Sequence, residues 1–267
     1  MQQAEDFRQE ALALAAILAP LSEAQLGTTT QFKNWTIEDV LGHLHIFNHA
    51  ANLSLQSGGA FVEFYEPIRA ALAGGQSMLE TQYDWLDGLR GRALFDAWLE
   101  LSEQTADNFS NADPKARLKW AGPDMSARSF ITARQMETWA HGHEIFDVLG
   151  LRREDTDRVK NINHMGVIAY GWTFINRKLE VPEPAPYVRL NAPSGAVWEW
   201  NEPQDGNRVD GSATEFAQVV TQVRNVADTT LSTQGENAGR WMAFAQCFAG
   251  KPEDPPAPGT RFMQAAP

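Results

Sequence analysis

This chain has almost no cysteine. One residue in 267, Cys247, makes an internal disulfide impossible and fits a reducing compartment, so a cytoplasmic address is expected. Positive charge is scarce as well. Twenty-two Lys and Arg stand against 34 Asp and Glu, a formal net charge of −12, which argues against nucleic acid or an anionic membrane as partner. No stretch approaches the roughly 18 consecutive apolar residues of a membrane span. The opening Met1-Gln2-Gln3-Ala4-Glu5-Asp6 lacks the basic and apolar regions of a secretion signal. No internal repeat is found. Cys247 lies in the apolar run Arg240-Trp241-Met242-Ala243-Phe244-Ala245-Gln246-Cys247-Phe248, which reads as buried helix, so any thiol chemistry needs a thiol from outside.

Apolar bulk is plentiful. Hydrophobic residues make up 43% and charged residues 21%, and nine Trp and fourteen Phe can fill the interior of one large domain or two smaller ones. Residues 3–20 have helical periodicity and end at Pro20. Thr36 and Asp39 have the spacing of a capping box, opening a helix that runs to about Gly58. Residues 62–73 form a further helix closed by Gly74-Gly75, and residues 78–111 are helical with a break between Gly88 and Gly91. The turn Trp120 to Asp124 leads into a helix capped by Gly150, and another runs from about Thr156 to Leu179.

The run Val181-Pro182-Glu183-Pro184-Ala185-Pro186 is the strongest boundary in the sequence. After it, residues 187–190 and 197–200 alternate like strands around Ser194-Gly195. Ser212 and Glu215 again have capping-box spacing, before a helix to about Arg224, and a last helix spans about 236–249. The expected fold is therefore mainly α: a helical bundle over 1–181, a small α+β domain over 187–252 and an irregular tail over 253–267.

Chemistry is suggested by two helical segments. Glu137 and His141 are four apart, so they project side by side from one helix face. At about 100° per residue, Val40, Leu44, Phe47, Ala51 and Leu55 form an apolar stripe, and His43 sits at its edge. His45 and His49 fall on the far side, the face a bundle leaves in water, and His143 projects away from Glu137. His43, Glu137 and His141 thus offer two imidazoles and a carboxylate, the donor set of an open metal site. Without metal, the same residues read as a Glu137–His141 hydrogen bond beside a core-edge His43. Glu144, a turn beyond His141, is placed to orient an imidazole or act as general base. Arg134, Arg128 and Lys119 border the segment and could bind a substrate carboxylate, or simply be solvated.

The motifs Trp35-Thr36…Asp39-Val40-x-x-His43-Leu44, Trp120-x-Gly122-Pro123-x-Met125-Ser126 and Ala133-Arg134-Gln135-Met136-Glu137-Thr138-Trp139-Ala140-His141-Gly142 resemble the mycothiol-dependent maleylpyruvate isomerase superfamily of the DinB-like group, closest to an uncharacterised metal-binding branch. The resemblance implies a DinB-type four-helix bundle holding a divalent metal, often zinc, on His43, Glu137 and His141. The Trp-rich strand region is similar to that family's second domain. In such enzymes the metal activates a low-molecular-weight thiol of the mycothiol or glutathione type, for transfer to or isomerisation of a small unsaturated organic acid. The expected catalytic residues are Glu144 and Arg134, and the expected partners are a small-molecule substrate and a second copy of the chain. Two other classes stay open: a hydrolase or lyase using metal-bound water, and a non-catalytic metal-stabilised binding protein.

Overall fold

The computed structural model describes residues 1–265. It divides into two compact units, Met1–Val148 and Leu149–Pro267. Among the described residues no helix is long and apolar enough to cross a membrane.

The first unit holds α1 (Gln2–Leu18), α2 (Glu23–Leu26), α3 (Ile37–Gln56), α4 (Gly58–Ala73), α5 (Met78–Leu86), α6 (Gly91–Ser110) and α7 (Ala127–Val148). Between α6 and α7 lies a minimal antiparallel pair, β1 (Arg117–Leu118) and β2 (Met125–Ser126). Long helices α1 and α3 each pack on both α6 and α7, closing a four-helix ring. Phe7, Ala51, Phe109 and Phe130 meet inside it, each fully or almost fully removed from solvent. The helices begin where the sequence supplies oxygen acceptors. Thr36 receives the Asp39 N–H while the Asp39 carboxylate receives the Thr36 N–H, a complete capping box at the start of α3. Ser77 and Glu80 repeat the device on α5. Helices α4 and α5 lie along the outer face of α3, joined to it by a second apolar cluster of Ile46, Phe47, Phe61 and Ile68. That placement turns an expected water-facing surface of α3 into a covered one.

The second unit holds α8 (Val159–Ile168), α9 (Tyr170–Ile175), β3 (Tyr187–Asn191), β4 (Val197–Trp200), β5 (Arg208–Ser212), α10 (Ala213–Val220), β6 (Ser232–Gln234) and α11 (Glu236–Phe244). Its sheet has the order β4-β3-β5-β6. The β3–β4 hairpin expected around Ser194-Gly195 is present, but β3 also pairs in parallel with β5, a strand that carries no alternating apolar pattern. Ser212 caps α10 as expected, whereas the Glu215 carboxylate turns away to the N–H and hydroxyl of Thr230, so the box is half made.

The boundary between units falls at 148/149 and not at the proline run expected to end a 1–181 domain. Helices α8 and α9 belong to the second unit because their apolar faces are covered there. Gly166 of α8 sits against Val220 and Phe216 of α10, and Tyr170 of α9 meets Trp241 of α11 edge-on at 5.2 Å. A proline run ends a helix but does not say which core the helix joins. Helix α11 stops at Phe244, so Cys247 lies half-buried beyond it and not within helix, its N–H bonded to the Val220 carbonyl. The tail expected to be irregular over 253–267 has no helix or strand as far as 265; its last two residues lie outside the described residues.

Candidate metal centre

The second turn of α3 and the middle of α7 bring three side chains together. His43 Nε2 stands 3.6 Å and His141 Nε2 3.4 Å from Glu137 Oε2. The imidazole centroids are 4.9 Å apart, and one donor atom from each of the three residues falls within 4.8 Å of the others. Atoms bound about 2.0–2.2 Å from one metal ion stand roughly 3 to 3.5 Å from each other, so the two carboxylate–imidazole distances already suit a shared divalent ion and the widest donor pair would close by about 1 Å. The set is two imidazole nitrogens and a carboxylate oxygen, three donors for an ion that takes four or more. Side-chain exposures of 13%, 23% and 12% for His43, Glu137 and His141 leave the group reachable from solvent.

The electrostatics suit ligation. Burial pushes the Glu137 carboxyl up, but hydrogen bonding and charge from His141 and His43 outweigh it and hold the group well below the usual carboxylate range. Burial pushes His141 down, only partly offset by Glu137, so its imidazole favours the neutral, ligating form. Aromatic rings enclose the cluster. Phe32 meets His141 edge-on at 5.0 Å, Trp35 stands 5.4 Å from His43, and Phe47 lies 4.8 Å from the same ring. Phe32 and Trp35 come from the loop between α2 and α3, where Lys33 and Asn34 take left-handed backbone angles. The sequence pattern does not mark Phe32, because a loop aromatic directly before a positive-φ turn has no periodicity to read.

The structure separates the other expected residues from the cluster. Arg134, taken from sequence as a site-bordering cation, is 1% exposed: its Nε donates to Asn48 Oδ1 at 3.0 Å and an Nη to the Leu44 carbonyl at 3.4 Å. Desolvation lowers its pKa to about 10, and the Glu137 carboxylate opposes that shift. Glu144 is 2% exposed on α7 and does not belong to the group of converging donors. Arg128 and Lys119 are exposed, and Lys119 pairs with Asp124 at 2.9 Å.

The unchosen histidines are not on a wet face. His45 is 9% and His143 4% exposed. His45 and His49 lie under α5, their rings 5.5 and 5.3 Å from Trp85, and His143 meets Trp139 at 4.3 Å. Burial, with a smaller push from His49, lowers the His45 pKa to about 4. A missed residue completes the site: Gln82 of α5, fully buried, places its Oε1 2.8 Å from His43 Nδ1.

Comparison with known proteins gives the family and the fold. Residues 7–146 match the family model described as the mycothiol maleylpyruvate isomerase N-terminal domain. Two uncharacterized proteins of Mycobacterium tuberculosis, from strains CDC 1551 / Oshkosh and H37Rv, are each 34% identical over 247 residues, covering 92% of this chain and 95% of the relative. The crystal structure of the mycothiol-dependent maleylpyruvate isomerase superposes with a TM-score of 0.55 at 15% identity, over 89% of this chain and 94% of that one. A histidine-to-alanine mutant of that enzyme gives 0.54 at 14%. The shared fold is thus the DinB-like maleylpyruvate isomerase fold, and this chain belongs to the mycothiol maleylpyruvate isomerase N-terminal domain family.

Proposed function

We propose that the chain is a metal-dependent enzyme that uses an external low-molecular-weight thiol to transfer to, or isomerise, a small unsaturated organic acid. The observation that carries this reading is the convergence of His43, Glu137 and His141 in a half-open, aromatic-walled site. Family membership supports the thiol, since the matched family is named for a mycothiol-dependent isomerase. So does the cysteine count, because the helical unit contains no thiol of its own. A bound divalent ion, zinc being the first choice for a His, His, Glu set, would supply Lewis acidity that lowers the pKa of a coordinated thiol.

The protein's own residues prepare the site. His43 and His141 each present an imidazole nitrogen, His141 favouring its neutral form, and Glu137 presents an anionic oxygen. Phe32, Trp35 and Phe47 keep water from the sides and leave an apolar wall for an unsaturated carbon skeleton. Arg134 acts from behind: with donors engaged by Asn48 and Leu44, its charge favours the ionised form of Glu137 and does not reach a substrate. Glu144, equally buried, is assigned to supporting α7 and not to proton transfer, which needs contact with the reacting group. The single cysteine fits a reducing compartment, and a cytoplasmic location is part of this proposal.

The test begins with metal analysis of the purified protein and of His43→Ala, Glu137→Ala and His141→Ala. Each variant is expected to lose stoichiometric metal, and retention by all three would end the assignment. A panel of unsaturated acids is then assayed with and without added thiols. Turnover only with thiol supports the proposal, and turnover with metal alone points to a hydrolase or lyase instead. A protein that turns nothing over but melts earlier with chelator would be a metal-stabilised scaffold.

A further inference from the structure

Gln82 lies on α5, outside the ring of four helices, and its whole side chain is withdrawn from solvent. Its amide makes two contacts with α3. Nε2 donates to the Asp39 carbonyl at 3.3 Å, and Oε1 faces His43 Nδ1 at 2.8 Å. The first contact fixes the second. Turning the amide over would set its oxygen against the Asp39 carbonyl oxygen, two acceptors in a buried space. Oε1 therefore points at His43, and an amide oxygen only accepts, so the ring proton resides on Nδ1. When the ring is neutral, Nε2, the atom that faces Glu137, is then the nitrogen that keeps its lone pair.

Three neighbouring features hold the amide in place. Tyr83 donates its hydroxyl to Asp39 Oδ1 at 2.5 Å, so adjacent residues of α5 clamp the first turn of α3. Asp39 is itself fixed by the capping box with Thr36. Gly42, one residue from His43, lets α5 come close: a Cβ there would stand 2.9 Å from Leu86 Cδ1 and 3.9 Å from Gln82 Nε2. These contacts fix the approach of α5 to the start of α3, and with it the place of the Gln82 amide beside His43.

We propose that Gln82 is a positioning residue that locks His43 in the Nδ1–H tautomer, presenting Nε2 as a ready metal ligand. This rests on the metal-centre reading for its purpose but not for its measurement. Outer partners of this kind are worth about 10–100-fold in metal affinity.

The experiment is a long-range proton–nitrogen correlation spectrum of metal-free, histidine-labelled protein at mildly alkaline pH, with His43 assigned by its absence from His43→Ala. Wild type is expected to show His43 with Nδ1 protonated, and a protonated Nε2 would overturn the proposal. Gln82→Met, similar in volume without the acceptor, is expected to shift His43 to the Nε2–H form and weaken cobalt or zinc binding about 10–100-fold in chelator competition. Gln82→Glu, which keeps an acceptor toward Nδ1 but loses the donor to the Asp39 carbonyl, is expected to retain the Nδ1–H form. Unchanged tautomer and affinity within twofold in Gln82→Met would sink the inference. If Gln82→Met fails to fold, the wild-type and Gln82→Glu spectra decide it. A wild type that binds neither metal ends the metal-centre reading, while the tautomer result still stands or falls alone.

Discussion

A guanidinium that is 1% exposed must have its donors met, and Arg134 meets them on α3 through Asn48 and the Leu44 carbonyl. Asn48 is fully buried too, and passes the network on by donating to Ser102 at 3.0 Å. Arg134→Met would fill the volume and leave Asn48 Oδ1 unmatched, so a loss of about 1–3 kcal/mol is expected in urea unfolding. A midpoint unchanged from wild type would mean the network contributes nothing. The tyrosines give a second residue-scale prediction. Burial raises Tyr83 and Tyr170 to about 12, with Asp39 and Glu183 adding to the shift, while burial raises Tyr65 and the Glu199 hydrogen bond raises Tyr187. All four tyrosines of the chain are thus held in the neutral form. Their stabilisation is complete below the ordinary phenol pKa of about 10 and is lost as pH rises toward 12. Ultraviolet titration should show phenolate appearing late, together with alkaline unfolding. A plain transition near the ordinary value would contradict the packing around these rings.

At the scale of elements, caps and close approaches decide where side chains go. Thr36 starts α3 and, through Asp39, also anchors Gln82 and Tyr83 of α5. Thr36→Ala is expected to cost about 0.5–2 kcal/mol by thermal or urea melt, and to weaken metal binding as well, because the start of α3 sets the depth of His43. Stability lost with affinity intact would uncouple the cap from the site. In the second unit the α8–α10 contact depends on Gly166, where a Cβ would lie 2.7 and 3.0 Å from the two Val220 methyls and 3.1 Å from Phe216. Gly166→Ala gains helix propensity but must displace a buried β-branched residue, so a net loss of about 1–3 kcal/mol is expected. A more stable variant would show that α8 and α10 can part cheaply.

For the whole molecule the expectation is linkage. Metal that binds the folded helical unit and not the unfolded chain stabilises it by about 2.7 kcal/mol at a hundredfold excess over Kd. Scanning calorimetry with zinc and then with chelator should move the transition that involves Met1–Val148. His43→Ala should abolish that shift, and an equal shift in the variant would place the metal elsewhere.

The sequence by itself determined the helices of the first unit, the capping box at Thr36, the β3–β4 hairpin, and the pairing of Glu137 with His141 on one face. These follow from periodicity and local hydrogen bonding, which act within a few residues. His43, picked out by its place at the edge of an apolar stripe, stands beside Glu137 because of how α3 and α7 pack and not because its neighbours on the helix face water. His45 and His143 are more deeply buried than an amphipathic wheel suggests, and His43 and His141 are set apart by converging on Glu137. A wheel shows which residues share a face, not what packs against it; α4 and α5 cover the face of α3 that appeared free. Only the tertiary structure could bury Arg134 and Glu144, bring Gln82 to His43 across 39 positions, insert β5 in parallel beside β3, and assign α8 and α9 to the second unit. The physical reason is common to all of them: each depends on which distant surface comes to cover a group, and that is settled by the packing of whole elements, not by the residues on either side.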